Sequence, residues 1–296
     1  MRLASIDIGS NAVRLLLSDV IEKKGKPIFK KAEFVRVPLR MGEDAFSRRK
    51  ISKDKIRKLI STMKAFKHLM EAFDATGYRA CATASMREAK NANSIIKKIW
   101  REAKIKVEVI DGKTEADIIY SNHVEEGLNK KNSYLYIDVG GGSTELTLFS
   151  KGKCIASHSF NIGTIRLLQK KVNKEYWEFF RAWIKLETKN IHPLIAIGSG
   201  GNINKMYKML EKKSNKSISY KKLKSLSEKI ESYTYEERIK FLGLHVDRAD
   251  VIVPASRIVL SVMKTAEIEE MIVPQIGLAD GLIHRLYEQH KKKKRK

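Results

Sequence analysis

The sequence predicts an α/β protein made of two related domains, and three observations support that fold class. Residues 6–11 (IDIGSN) return as residues 137–143 (IDVGGGS), which indicates an internal repeat. Short apolar segments typical of buried strands alternate with longer segments of helical period. The chain has 296 residues, 43% hydrophobic and 31% charged, a composition typical of a globular protein long enough for two domains.

The first half of the chain alternates predicted strands and helices. The helix at 52–73 is predicted from a stripe of apolar residues at helical spacing, with Ser52 as a candidate N-cap. The strands are predicted from short apolar runs that end at glycines or polar turns. The predicted strands are 3–9, 13–20, 78–84 and 107–110, and the predicted helices are 52–73, 92–103 and 113–124.

The second half repeats this design. Each copy of the repeat is followed by a strand, 13–20 or 144–149, and then by a Lys-Gly-Lys turn, 24–26 or 151–153. We therefore expect two domains, 1–124 and 125–296, divided near the polar stretch 125–132. The remaining predictions are a strand at 194–197, helices at 164–186, from 202, at 254–266 and at 277–289, a frayed tail at 291–296, and Trp100, Trp177 and Trp183 as core residues.

The charge balance is strongly basic. Lys and Arg number 59 against 34 Asp and Glu, which gives a net charge of +25 and favours a polyanionic partner. Nucleic acid, nucleotides, polyphosphate and acidic membranes all remain open, and the lysine-rich segment 205–230 is either a solvated face or a ligand-guiding surface. Cys81 and Cys154 are expected to be free thiols. Because no apolar run approaches the length of a membrane span and Asp7 interrupts any signal sequence, we expect a soluble cytoplasmic protein.

Two aspartates close the repeated strands beside glycine-rich turns. A carboxylate in that position is suited to hold a divalent cation, while backbone N–H groups face phosphate oxygens. Asp7 and Asp138 are the two aspartates, and Glu145 supplies a further acid. A hairpin turn in which the glycines only relieve backbone strain is the alternative for either turn alone, but the pair together favours phosphate binding.

Other single motifs are weaker. The turn at 198–201 lies between a strand and a helix, where an anion is favoured. Glu115 is a first-turn helix acid, and Arg87 is either a surface residue or a phosphate clamp. The sequence has no zinc-ligand spacing, no Gly-x-Ser-x-Gly and no Gly-x-x-x-x-Gly-Lys loop.

Taken in order, these motifs resemble the exopolyphosphatase/guanosine pentaphosphate phosphatase (Ppx/GppA) family, in a short form without the C-terminal HD-type domain. The segments that carry the resemblance are 7–11, 83–87, 112–116, 138–145 and 198–201. The resemblance implies two ribonuclease-H-like lobes of the actin and sugar-kinase type, with mixed sheets flanked by helices and the active site in the interlobe cleft. It also allows helix 278–289 to pack back on the first lobe, and it implies a homodimer.

The resemblance also implies roles for individual residues. Glu115 matches the catalytic base, and Asp138, Glu145 and Asp7 match ligands of Mg²⁺ or another divalent cation. Thr114 and Asn202 depart from the family pattern. The first departure bears on the placement of the metal or the water, and the second bears on the binding of phosphate. The residues implied to bind phosphate are Ser10, Asn11, Arg87, Gly140, Gly141, Gly142, Ser143, Thr144, Gly198, Ser199, Gly200 and Gly201.

The implied activity is release of terminal orthophosphate from inorganic polyphosphate. Guanosine pentaphosphate is the alternative substrate. Two rivals remain: an ATP-dependent kinase of the same architecture, and a non-catalytic regulator that binds an alarmone or another polyanion. Neither a membrane nor a specific nucleic acid is an expected partner.

Overall fold

The computed structural model describes residues 1–23, 26–121, 129, 132–151, 153–210 and 217–294. The chain divides into two compact units: unit 1 comprises Met1–Gly127 and Ile276–Lys296, and unit 2 comprises Leu128–Gln275. The turn residues Lys24, Gly25 and Gly152, and most of the boundary predicted at 125–132, lie outside the described residues.

Unit 1 contains one mixed sheet whose strand order is β3-β2-β1-β4-β5. The first three strands are antiparallel, while β4 and β5 run parallel to β1. Its elements in the described residues are β1 (Arg2–Ile8), β2 (Val13–Lys23), β3 (Lys26–Val37), α1 (Met41–Arg48), α2 (Lys53–Ala72), β4 (Gly77–Ala82), α3 (Ala84–Glu88), α4 (Ala92–Ala103), β5 (Val107–Val109), α5 (Gly112–Ser121) and α13 (Leu278–Lys294).

Alternating residues of β1 face two different layers, as the two-residue period of a strand requires. Ile6 and Ile8 pack with residues of α2 and α4 in the larger apolar cluster. Leu3 packs on the opposite face against Ile283 of α13, and Ser5 Oγ donates a 2.7 Å hydrogen bond to Ala279 O. The helix α13 therefore covers one face of the sheet of unit 1.

Unit 2 repeats this sheet and extends it. Its strand order is β10-β11-β9-β6-β7-β8, in which β6, β7, β8, β9 and β11 take the places of β1 to β5. Its elements in the described residues are β6 (Ser133–Val139), β7 (Thr144–Ser150), β8 (Lys153–Phe160), α6 (Thr164–Leu168), α7 (Lys174–Thr188), β9 (Leu194–Ser199), α8 (Gly201–Leu210), β10 (Ser217–Ser219), α9 (Tyr220–Glu231), α10 (Tyr235–Lys240), α11 (Val246–Ala249), α12 (Ile252–Thr265) and β11 (Glu270–Ile272).

The predicted fold class, α/β with mixed sheets flanked by helices, is confirmed. Strand pairing also confirms the repeat, because β6 and β9 are parallel neighbours as β1 and β4 are. Among the described residues, no helix combines the length and the hydropathy that a membrane span requires.

Several local predictions were wrong. The single helix predicted at 164–186 is two helices, α6 and α7, separated where Lys170 adopts a positive φ and Asn173 caps α7. Residues 291–294 continue α13 and are no frayed tail. Trp100 is 54% exposed and lies outside the core, whereas Trp177 and Trp183 pack against it.

Candidate active site

The hairpin β1–β2 presents Asp7 at the end of its first strand. The turn closes through the Gly9 N–H, which donates to Ala12 O at 3.1 Å. This register places Arg14 of β2 directly opposite Asp7, and the Arg14 guanidinium forms an ion pair with the buried Asp7 carboxylate. The charge of Asp7 is therefore balanced within unit 1.

The hairpin β6–β7 has the same turn with different chemistry. The Gly140 N–H donates to Ser143 O at 2.9 Å, and Asp138 lies opposite Glu145. A carboxylate oxygen of Asp138 and one of Glu145 lie within 4.8 Å of each other. Two anionic side chains at that distance are suited to share a divalent cation.

Hydroxyl groups hold Glu145 in place. Its Oε1 atom accepts hydrogen bonds from Ser143 Oγ at 2.6 Å and from Ser159 Oγ at 2.8 Å, and only 3% of the residue is exposed. Thr144 donates its own hydroxyl to Ile162 O at 2.6 Å. The hydroxyl protons of Ser143 and Thr144, which the sequence suggested as phosphate donors, are thus engaged within unit 2.

Residues 140–142 form the triple-glycine loop, and α6 holds it from one side. Thr164 N–H donates to Gly140 O at 3.1 Å and Ile165 N–H donates to Gly141 O at 2.9 Å. Gly163 fits flat against this loop, since a Cβ there would lie 2.5 Å from Gly141 O. The described residues offer no hydrogen-bond acceptor to the N–H groups of Gly141 and Gly142. Backbone donors of this kind can bind an anion.

The predicted turn at 198–201 also lies beside Asp138. Gly198 and Ser199 belong to β9, where Ser199 pairs with Asp138. Gly200 has φ +102, and a Cβ there would lie 3.1 Å from Asp138 Oδ1, so the backbone passes close to this carboxylate. Ser199 Oγ is buried and has no hydrogen-bond partner among the described residues. Gly201 begins α8.

In unit 1, Glu115 lies in the first turn of α5 and is largely buried. Arg87 Nη1 in α3 donates to Glu115 Oε2 at 3.0 Å and to Ile110 O at 2.9 Å. The two residues singled out separately in the sequence are therefore an ion pair. The Thr114 N–H donates to Asp111 Oδ1 at 2.7 Å, and this bond lowers the pKa of the Asp111 carboxyl.

The backbone of Ser10 and Asn11 fastens the first hairpin to α1. Gly42 N–H donates to Ser10 O at 2.8 Å, and Arg40 N–H donates to Asn11 O at 2.9 Å. Their side chains stay phosphate-binding predictions. Sequence reasoning missed Arg14, and it missed Arg166 and Arg248, whose side chains donate to Gly142 O at 2.6 Å and to Gly201 O at 3.0 Å. The register of the first hairpin could have identified Arg14, but no sequence signal marks the other two.

Comparison with known proteins first identifies the fold. The crystal structure of an exopolyphosphatase from Cytophaga hutchinsonii superimposes with a TM-score of 0.85 at 22% identity, covering 98% of each chain. Two curated relatives align over almost the whole chain. A guanosine-5'-triphosphate,3'-diphosphate pyrophosphatase from Photobacterium profundum is 25% identical over 96% of this chain and 59% of its own length. A putative exopolyphosphatase from Haemophilus influenzae is 22% identical over 96% of this chain and 91% of its own.

The family follows from the sequence match. A model of the Ppx/GppA phosphatase family matches residues 20–290, and the chain belongs to this family. Its phosphatases are hydrolases that act on phosphoanhydride bonds. The chain spans 59% of the length of the Photobacterium relative, which is therefore a longer protein.

Proposed function

We propose that this chain hydrolyses phosphoanhydrides and releases terminal orthophosphate from inorganic polyphosphate. The observation that carries the proposal is the pairing of Asp138 with Glu145 beside a loop whose backbone N–H donors find no acceptor among the described residues. Paired carboxylates can hold a cation and unpaired amide donors can stabilise phosphate oxygens, and a metal-assisted phosphoryl transfer to water uses both.

Glu115 is the proposed general base. It would accept a proton from water as the water oxygen forms a bond to the terminal phosphorus and the bond to the bridging oxygen breaks. The products are orthophosphate and a chain shortened by one phosphate. Arg87 fixes the Glu115 carboxylate through its 3.0 Å contact, so that the second oxygen is presented in a constant direction.

Asp138 and Glu145 are the proposed ligands of a divalent cation such as Mg²⁺. Their donor set fits this ion, because hard divalent cations prefer carboxylate oxygens and the two groups lie within 4.8 Å of each other. When bound, the ion would offset negative charge on the phosphate oxygens. Asp7 is the weaker candidate ligand, since Arg14 already balances its charge.

Long polyphosphate is favoured by charge. The chain carries a net charge of +25, and a linear polyanion can engage many lysines at once, whereas a nucleotide is compact. The name of the Haemophilus relative agrees with this substrate. Guanosine pentaphosphate is the second candidate, because the Photobacterium relative, whose name specifies a guanosine nucleotide, aligns with 96% of this chain.

A phosphate-release assay tests the proposal. Purified protein with Mg²⁺ would be given long polyphosphate, guanosine pentaphosphate or ATP, without any acceptor alcohol. We expect fastest release from polyphosphate, with an apparent affinity that falls as salt rises. Faster release from guanosine pentaphosphate would reassign the substrate. Release only when a hydroxyl compound is added would identify a kinase, and no release from any substrate would contradict the proposal.

A further inference from the structure

Three consecutive carbonyl groups of the triple-glycine loop are bound by three consecutive residues of α6. Thr164 N–H and Ile165 N–H bind the carbonyls of Gly140 and Gly141, and the third donor is a side chain: Arg166 Nε donates to Gly142 O at 2.6 Å. Only 9% of Arg166 is exposed. The described backbone of α6 thus supplies two of these donors and Arg166 supplies the third.

Because the peptide bond is planar, these contacts also fix the direction in which the N–H groups of the loop point. In a planar trans peptide the C=O of one residue and the N–H of the next point in opposite directions. Because the carbonyls of residues 140–142 point towards α6, the N–H groups of Gly141, Gly142 and Ser143 point away from it. None of these three N–H groups has a hydrogen-bond acceptor among the described residues.

We propose that Arg166 is a positioning residue that fixes the N–H of Ser143 as a donor to a phosphate oxygen. This inference rests on the proposed function of the loop. It states that the Arg166 side chain sets the direction in which the Ser143 N–H points. Glycine peptides rotate readily, since no Cβ restricts φ and ψ. Without the Arg166 contact, the Gly142–Ser143 peptide is free to turn, while the two preceding peptides stay bound to the backbone of α6.

The matched substitution is Arg166→Lys. It keeps the positive charge and nearly the same length, but it places a methylene group where Nε–H stood. Arg166→Ala removes the side chain altogether and leaves space for added ethylguanidinium. Arg181→Ala serves as the control for loss of one positive charge in unit 2, because Arg181 is exposed and packs over Trp177.

The direct readout is the amide resonances of the loop. Protein labelled with ¹⁵N is titrated with Mg²⁺ and methylenediphosphonate, a pyrophosphate analogue that resists hydrolysis. We expect shifts at Gly141, Gly142 and Ser143 in the parent chain. In Arg166→Lys we expect the Ser143 shift to disappear while the two glycine shifts remain. An unchanged Ser143 shift would overturn the proposal.

The kinetic readout uses polyphosphate. A hydrogen bond to a charged group is worth enough to raise KM by about 10- to 100-fold when lost, with a smaller change in kcat. Ethylguanidinium should restore KM in Arg166→Ala, and Arg181→Ala should behave as the parent. Equal KM in Arg166→Lys and the parent, or failed rescue of a folded Arg166→Ala, would overturn the proposal. A parent chain that shows the amide shifts but releases no phosphate would instead contradict the proposed function.

Discussion

Arg14 lies opposite Asp7 in the first hairpin and binds its carboxylate, at the position that Glu145 occupies opposite Asp138 in the second. The two hairpins share a backbone turn but differ in charge: one pair is neutral and the other carries two negative charges. The duplicated hairpin has thus kept one geometry around two different pairs of side chains. The first is suited to structural support, and the second is suited to cation binding.

The ion pair of the first hairpin predicts a specific pattern of stability. Arg14→Ala leaves the buried Asp7 carboxylate without its partner and should lower the free energy of unfolding by about 3 kcal/mol. This value is at the low end for buried ion pairs, because 26% of the Arg14 side chain is exposed. Combining Asp7→Asn with Arg14→Ala should recover most of this loss. Urea unfolding of the two single variants and the double variant measures the coupling, and additive losses would contradict it.

Removing one acid from the second hairpin should raise stability, whereas removing Arg14 from the first lowers it. Glu145→Gln keeps an oxygen to accept the bonds from Ser143 and Ser159, yet it relieves repulsion from Asp138. We expect a higher unfolding temperature without metal and a smaller increase on adding Mg²⁺. Calorimetry with and without Mg²⁺ checks both signs, and Glu228→Gln on the exposed face of α9 is the control. A metal response equal to that of the parent would remove Glu145 from the ligand set.

Glu115→Gln should yield a folded protein with little activity. General-base catalysis typically contributes about 10²–10⁴-fold, so kcat for phosphate release should fall by that factor. Glu102→Gln, which changes a half-buried acid bound to Lys64, should retain the parental rate. Parental turnover in Glu115→Gln would show that another group activates the water.

The hydrogen bond from Thr114 N–H in α5 to the Asp111 carboxylate predicts a dependence of stability on pH. The bond from Thr114 lowers the pKa of Asp111 below its usual 3.8, so the stabilisation is complete above that value and is lost as the pH falls through the folded-state pKa. The difference in unfolding free energy between the parent and Asp111→Ala should therefore be constant near neutrality and shrink in acid. Asp111→Asn, which accepts the same bond without charge, should show a weaker dependence. A difference that does not change between pH 7 and pH 3 would contradict the assignment.

The two thiols should differ in reactivity. Burial raises the pKa of the Cys81 thiol to about 12, whereas Cys154 is exposed. At pH 8, a chromogenic disulfide reagent should titrate one thiol in the native protein and two after unfolding. Cys154→Ser should leave no reactive thiol in the native state, and rapid reaction of that variant would show that the core around Cys81 opens.

The sequence predicted those features whose signal is local. The repeated hairpins carry their own pattern of apolar residue, aspartate and glycine, and both form as expected. Hairpin register is nearly as local: once the turn closes between Gly9 and Ala12, Arg14 must face Asp7. The break between α6 and α7 escaped prediction because Lys170 adopts a conformation that its residue type rarely shows.

Contacts distant in sequence had no such signal. Arg87 in α3 meets Glu115 in α5 across 28 positions, and each residue alone looks like an ordinary helix residue. Arg166 binds the carbonyl of Gly142, which lies 24 positions away in sequence. Every residue has a backbone carbonyl that can accept such a bond, so the contact produces no sequence motif. Only the tertiary structure reveals these two contacts.

The helix α13 has a consequence for how the chain folds during synthesis. Unit 2 is one uninterrupted segment, but the apolar face formed by Leu3, Leu16 and Val20 is covered by Ile283 and Tyr287, which the ribosome adds only after all of unit 2. That face stays open to water, and to chaperones, throughout the intervening translation. Unit 2 can therefore complete its fold before α13 packs on the sheet of unit 1.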